Sequence, residues 1–155
     1  GLPLRADSLE ALVAHLVAAG ADPACNAQTL ANTMYAVGRL GERQQRGGGE
    51  GATVVPEALL ESLRALFLQK VRKGRGRGND HPMHVSQFLL GCAKAGHRLP
   101  GATLEALVGR LVEAGSACNA QTLANSIYAV GQMQRERERR RESGGPLTGE
   151  LFRSV

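Results

Sequence analysis

Two stretches of this chain are near copies of each other, and a protein built by repetition has few ways to fold. Cys25–Leu40 reads CNAQTLANTMYAVGRL and Cys118–Met133 reads CNAQTLANSIYAVGQM, identical at 12 of 16 positions. Just upstream, Leu9–Gly20 and Leu104–Gly115 form a second matched pair that agrees at nine of 12 positions. The copies stand 93 to 95 residues apart, which is long for one helical repeat. A weaker middle copy divides that distance: Val85–Gly96 aligns with Leu30–Gly41 and with the segment that starts at Leu123. The step from Val85 to Leu123 is 38 residues and the step from Leu30 to Val85 is 55, so the first repeat holds an insertion of 17. Two glycine-rich stretches, Gly47–Gly51 and Lys73–Asn79, can host it.

Each copy carries two helical signals. Leu9, Leu12, Val13, Leu16 and Val17 fall on one stripe of a helix. Asp7 with Glu10 reads as its start signal and Gly20 as its stop. The following element places Leu30, Met34, Val37 and Leu40 at helical spacing, with Asn26 as N-cap and Gly41 as C-terminal cap. Its copy uses Asn119, Leu123, Ile127 and Val130, while the middle pair opens at Pro56 with Leu59, Leu60, Leu63, Leu66 and Phe67 as its stripe. Alternating β-branched runs do not occur. Helices are therefore expected near 8–19, 26–40, 57–71, 83–95, 102–114 and 119–140, with another from 147. The expected fold is all-α, an α-solenoid of antiparallel helix pairs with a period of about 38 residues. Its repeats run from 7 to 55, 56 to 100 and 101 to 145, with the start of a further helix at 146–155 and a basic Gly/Arg-rich insertion at 70–79. Neither end reads as a polar cap, because Leu147, Leu151 and Phe152 begin another apolar stripe; the expectation is a longer array, or ends that dock on partners.

The phrase NAQTLANTMYAVGRLG and its copy resemble the octotricopeptide repeat family of green algae, whose 38-residue repeats carry a second helix of the form P-Q-D-L-A-N-T-L-W-A-L-A-x-L-G. Gln28, Leu30, Ala31, Asn32, Thr33, Ala36, Leu40 and Gly41 match that pattern, as do Gln121, Leu123, Ala124, Asn125 and Ala129. Tyr35 and Tyr128 stand where the family favours Trp, and residues 84–91 lack the L-A-N core. The resemblance implies a nucleus-encoded RNA-binding protein of mitochondria or chloroplasts. Some members stabilise, process or translate organelle messages; others look like architectural proteins of algal mitochondrial ribosomes. Catalysis is not a property of the repeat.

Charge is consistent with a polyanion partner. Residues 1–69 hold 5 basic and 7 acidic side chains, whereas residues 70–155 hold 14 and 7. The densest run is Lys70, Arg72, Lys73, Arg75 and Arg77, five cations in eight residues with interleaved glycines that leave the backbone free to follow a phosphate ridge. A solvated insertion loop is the alternative. Lys94, His97 and Arg98 are expected to extend that surface, or else to complement a helix dipole. A second run, Arg135, Arg137, Arg139, Arg140 and Arg141, alternates with Glu136, Glu138 and Glu142, so self-pairing along a solvated helix competes with RNA contact there. Arg39, Arg43 and Arg46 form a weaker set. Single-stranded RNA is read mainly by stacking on aromatics, yet Tyr35, Tyr128, Phe67, Phe88 and Phe152 all fall in or beside apolar stripes and read as core. That balance points to phosphate and shape contacts with structured RNA.

Other chemistries lack their signatures. Cys25, Cys92 and Cys118 are too scattered for a metal quartet or a disulfide scaffold, and three thiols fit a reducing compartment. His81 and His84 have no third ligand in register, and no G-K-[ST] follows the glycines near residue 75. Neither a cofactor nor a small-molecule substrate is expected, and neither is an enzyme. No stretch nears the roughly 20 apolar residues of a membrane span, and the basic segment lacks the large apolar residues that insert into a bilayer surface. A chain that opens on Gly1 without a signal-peptide pattern reads as processed or incomplete. The leading expectation is thus a structural component of a mitochondrial ribosome that braces ribosomal RNA and meets other ribosomal proteins at its ends. The alternatives are an mRNA maturation or translation factor of mitochondrion or chloroplast, and a protein-binding scaffold.

Overall fold

The computed structural model describes residues 5–46, 55–73 and 81–153. Six α-helices carry them: α1 (Ala6–Ala18), α2 (Ala27–Arg46), α3 (Glu57–Lys73), α4 (Pro82–Ala95), α5 (Gly101–Ala114) and α6 (Ala120–Arg153). A single 3₁₀ turn, Gly115–Ala117, precedes α6. No strand occurs among the described residues, and the fold is all-α.

The repeated sequence makes repeated local structure. Asn26 Oδ1 accepts from the Thr29 amide at 2.9 Å, and Asn119 Oδ1 accepts from the Thr122 amide at 2.8 Å. Both asparagines thus satisfy an amide that the first helical turn leaves without a partner. Two end signals act differently from expectation. The N-cap of α1 is Arg5, with no side-chain capping bond, so Asp7 sits inside the first turn and acts only on the helix dipole. Gly41 does not end α2, which runs on to Arg46. Gly96 does end α4, with φ at 68° and its amide bonded back to the Ala93 carbonyl. The separate helix expected from 147 is absorbed into α6, which continues through Gly144-Gly145-Pro146; nothing in the structure explains that passage. The side chains of Leu147, Leu151 and Phe152 lie outside the described ones.

Helices α2, α4 and α6 stand in a row with α4 in the middle, α3 rests on α2 and α1, and α5 rests on α4. The core follows that order. Phe67 of α3 stacks on Phe88 of α4, centroids 4.0 Å apart and planes 5° from parallel. Around them Leu30, Met34, Leu63, Val85, Leu89 and Cys92 are fully buried. Helices α2 and α4 meet backbone to backbone. A methyl group on Gly38 would come within 2.5 Å of the Gly91 carbonyl oxygen, and one on Gly91 within 2.6 Å of the Met34 carbonyl carbon. On the other side of α4, the Ser86 hydroxyl donates to the Thr122 carbonyl at 3.0 Å, a buried polar seam under α6.

Candidate nucleic-acid interface

Helix direction decides which cations share a surface. Glu57, at the start of α3, bonds His97, just past the end of α4, and Lys70 near the end of α3 donates to the Asp22 carbonyl, before the start of α2. Helix α3 therefore runs against α2 and α4. Its last turn, with Arg72 and Lys73 exposed, lies at the N-terminal end of the row, whereas Lys94 and Arg98 lie at the C-terminal end. Fourteen residues of α4 separate these ends, a rise of about 20 Å. The expectation that Lys94, His97 and Arg98 extend the surface of the 70–77 run is corrected by this geometry. Arg75 and Arg77 lie outside the described residues.

His97 leaves the set for a second reason. Its side chain has no exposed surface; Nδ1 lies 2.5 Å from Glu57 Oε1 and Nε2 lies 3.2 Å from Arg64 Nη1. A guanidinium can only donate, so Nε2 accepts and Nδ1–H donates to the carboxylate. The imidazole is a structural strut between α3 and the turn after α4, out of reach of a phosphate. The cue in the sequence is weak, since a histidine after a helix-ending glycine equally fits a dipole partner.

At the C-terminal end of the row Lys94, Arg98 and Arg140 converge with Arg137, while Arg135 and Arg139 are not among the groove's lining residues. Between α4, its following turn and α6 lies a groove of about 450 Å³. Lys94, Arg98, Arg137 and Arg140 line it along with two carboxylates, Glu42 and Glu136. Lys94 Nζ pairs with Glu42 at 3.0 Å, holding α4 to α2. Arg140 Nε reaches Glu136 at 3.4 Å and Arg139 reaches the same residue at 3.9 Å, both in exposed positions where pairing contributes little and yields readily to a phosphate. Arg98 and Arg137 are exposed, as is Arg135. Arg39 and Arg43 flank the groove across Glu42 and Lys94.

One aromatic expectation also changes. Phe67 and Phe88 are core, but Tyr128 lines the groove and is half exposed, with its hydroxyl accepting from Gln132 at 2.8 Å. Tyr35, its counterpart on α2, is partly covered and receives a hydrogen bond from Arg39 at 3.3 Å. Tyr128 is open to the groove, beside Lys94 and Arg98. The groove combines forked guanidinium donors suited to phosphate with one ring face suited to a base. Among the described residues no group of three potential metal ligands forms, and no helix is long and apolar enough to cross a membrane. Comparison of the chain with models of protein families, with curated proteins and with solved structures gives no match.

Proposed function

We propose that this chain is an RNA-binding α-solenoid that serves as a structural component of an organellar ribosome, in the mitochondrion. It braces ribosomal RNA through backbone contacts and meets other ribosomal proteins at its ends. The observation that carries RNA binding is the groove in which Lys94, Arg98, Arg137 and Arg140 converge from two helices and a turn. The row of α2, α4 and α6, with α3 and α5 each resting on the preceding row member, supports the solenoid reading. The ribosomal and organellar parts rest on the resemblance of the NAQTLAN helices to octotricopeptide repeats. The half-exposed Tyr128 ring favours a second reading, a factor that binds one short single-stranded message site.

Titration of the purified chain with a structured ribosomal RNA fragment tests the first reading. Affinity falls with salt, and replacing Arg98, Arg137 and Arg140 by Ala lowers the log–log salt slope by roughly 0.7–0.9 for each phosphate that is no longer neutralised. Tyr128→Ala leaves that binding nearly unchanged. Strong binding to one single-stranded sequence that Tyr128→Ala abolishes moves the assignment to the message factor. Organelle lysate in which the chain crosslinks to neither ribosomal RNA nor ribosomal proteins removes the ribosomal role.

A further inference from the structure

Because two parts of the chain are nearly identical in sequence, each shows what the other's surface would look like if it were covered. Helix α2 is covered by α4 on the face made by Leu30, Ala31, Met34 and Gly38, and all four are buried. The same face of α6 is Leu123, Ala124, Ile127 and Gly131. There Ile127 is 73% exposed where Met34 is 0%, and a methyl group on Gly131 would meet nothing within 4 Å. The opposite face shows the reverse. Ala129 of α6 is fully buried against the row, while its counterpart Ala36 on α2 is exposed.

The first helices of the pairs repeat this independently. Leu107 of α5 is 1% exposed, but its counterpart Leu12 of α1 is 60% exposed. Val17 of α1 is packed against the core, but its counterpart Val112 of α5 is 74% exposed. Both helix layers thus end in an open leading face at the α5–α6 end and an open trailing face at the α1–α2 end. The molecule already joins leading to trailing faces twice, at α2 with α4 and at α4 with α6.

We infer that the α5–α6 end of one molecule docks on the α1–α2 end of a second copy, so that the chain assembles head to tail. Small residues allow it. The two internal joints place Gly38 against Gly91 and, by the repeat alignment, Ala93 with Ala129; the new joint places Gly131 with Ala36, a combination between those two in size. One position is mismatched. Where Glu42 pairs with Lys94 inside the molecule, the repeat alignment brings Arg135 near Arg39 of the second copy. Like charges there weaken the joint at low ionic strength, so association strengthens as salt screens them. The same joint carries no closing two-fold, and assembly therefore continues past a dimer. This inference does not depend on RNA binding.

Sedimentation velocity of the full chain over a wide concentration range, without RNA, tests it. Mass rises with concentration beyond a dimer and rises further with added salt. Ile127→Asp weakens association by at least about tenfold, because it puts a charge in an apolar joint, and Ala36→Glu does the same from the other side. Both residues are exposed in the single molecule, so helical content holds. Mixing the two variants restores one joint and gives a 1:1 complex that grows no further. Arg135→Glu, facing Arg39, tightens association and reverses its salt dependence. A chain that stays monomeric throughout, and so leaves the face to a different protein, overturns the inference. A dimer that both blocking variants leave intact, or that their mixture fails to restore, overturns it as well.

Discussion

Gly38 and Gly131 occupy the same place in two copies of the sequence A-V-G, yet one is trapped between helices and the other faces open space. Replacing each by Ala separates tertiary packing from every local effect. Helix propensity and unfolded-chain entropy favour Ala over Gly by roughly 0.5–1 kcal/mol at a helix interior, and they favour it equally at both positions. At Gly131 nothing opposes that gain, so Gly131→Ala stabilises by about that amount. At Gly38 the new methyl would lie 2.5 Å from the Gly91 carbonyl oxygen and 2.8 Å from Lys94 Cβ. Backbone cannot rotate away as a side chain can, so α2 and α4 must part. Overpacking of this kind costs about 1–3 kcal/mol, which exceeds the propensity gain. Urea unfolding of both variants at low protein concentration should therefore place them on opposite sides of the wild type, separated by about 1–3 kcal/mol. If both variants move the same way by the same amount, α2 and α4 do not meet backbone to backbone.

Three further outcomes concern buried and half-buried side chains. His97→Leu removes both bonds of the buried imidazole, and because Glu57 and Arg64 keep access to water the loss is about 0.5–1.5 kcal/mol in denaturant unfolding; His97→Gln, which can both donate and accept, recovers part of that, and a Leu variant as stable as wild type removes the strut. Burial raises the Cys92 thiol well above its ordinary range and encloses it, and Cys25 is also buried, so under native conditions a maleimide labels the half-exposed Cys118 first and Cys92 only on unfolding, as mass spectrometry of peptides reads out. Burial, then the neighbouring His81, holds the His84 imidazole below the ordinary 6.5. The unfolded chain therefore takes up this proton first as pH falls, so stability declines from about pH 6.5 downward and levels off below the folded value; His84→Gln flattens that part of a stability–pH profile.

Most of the helices were legible because their signals are local. An apolar stripe needs only its own spacing, and Asn26 and Asn119 cap helices through an amide three residues away. What failed required knowledge of neighbours. Gly20 reads as a helix stop, and α1 does end just before it with Ala19 as the cap residue; the part that its own sequence does not show is Leu66, whose methyl groups leave no room for a side chain there. Gly41 has the same composition cue and lies inside α2, because α2 continues without needing a left-handed residue. Lys73 and Lys94 sit 21 residues apart in sequence but at opposite ends of the row, since α3 and α4 run against each other. Arg98 and Arg137, distant in sequence, face one groove. Charge counting along a chain sees density, whereas a surface is set by helix direction.

The position of α4 has a consequence for how the molecule opens. Its residues touch both row neighbours, so exposing its amides means unseating α2 and α6 together, and hydrogen exchange there tracks global unfolding. Helix α6 has one neighbour in the row, and its turns beyond Gln134 are exposed on every described face through Ser143. It detaches or frays at lower free energy, by the nearest-neighbour logic of stacked helix pairs. One wall of the cationic groove belongs to that helix. Groove width is then an equilibrium property of the least protected element, and an occupant that bridges Arg98 to Arg140 slows exchange in α6 and, because global unfolding also releases it, in α4 as well.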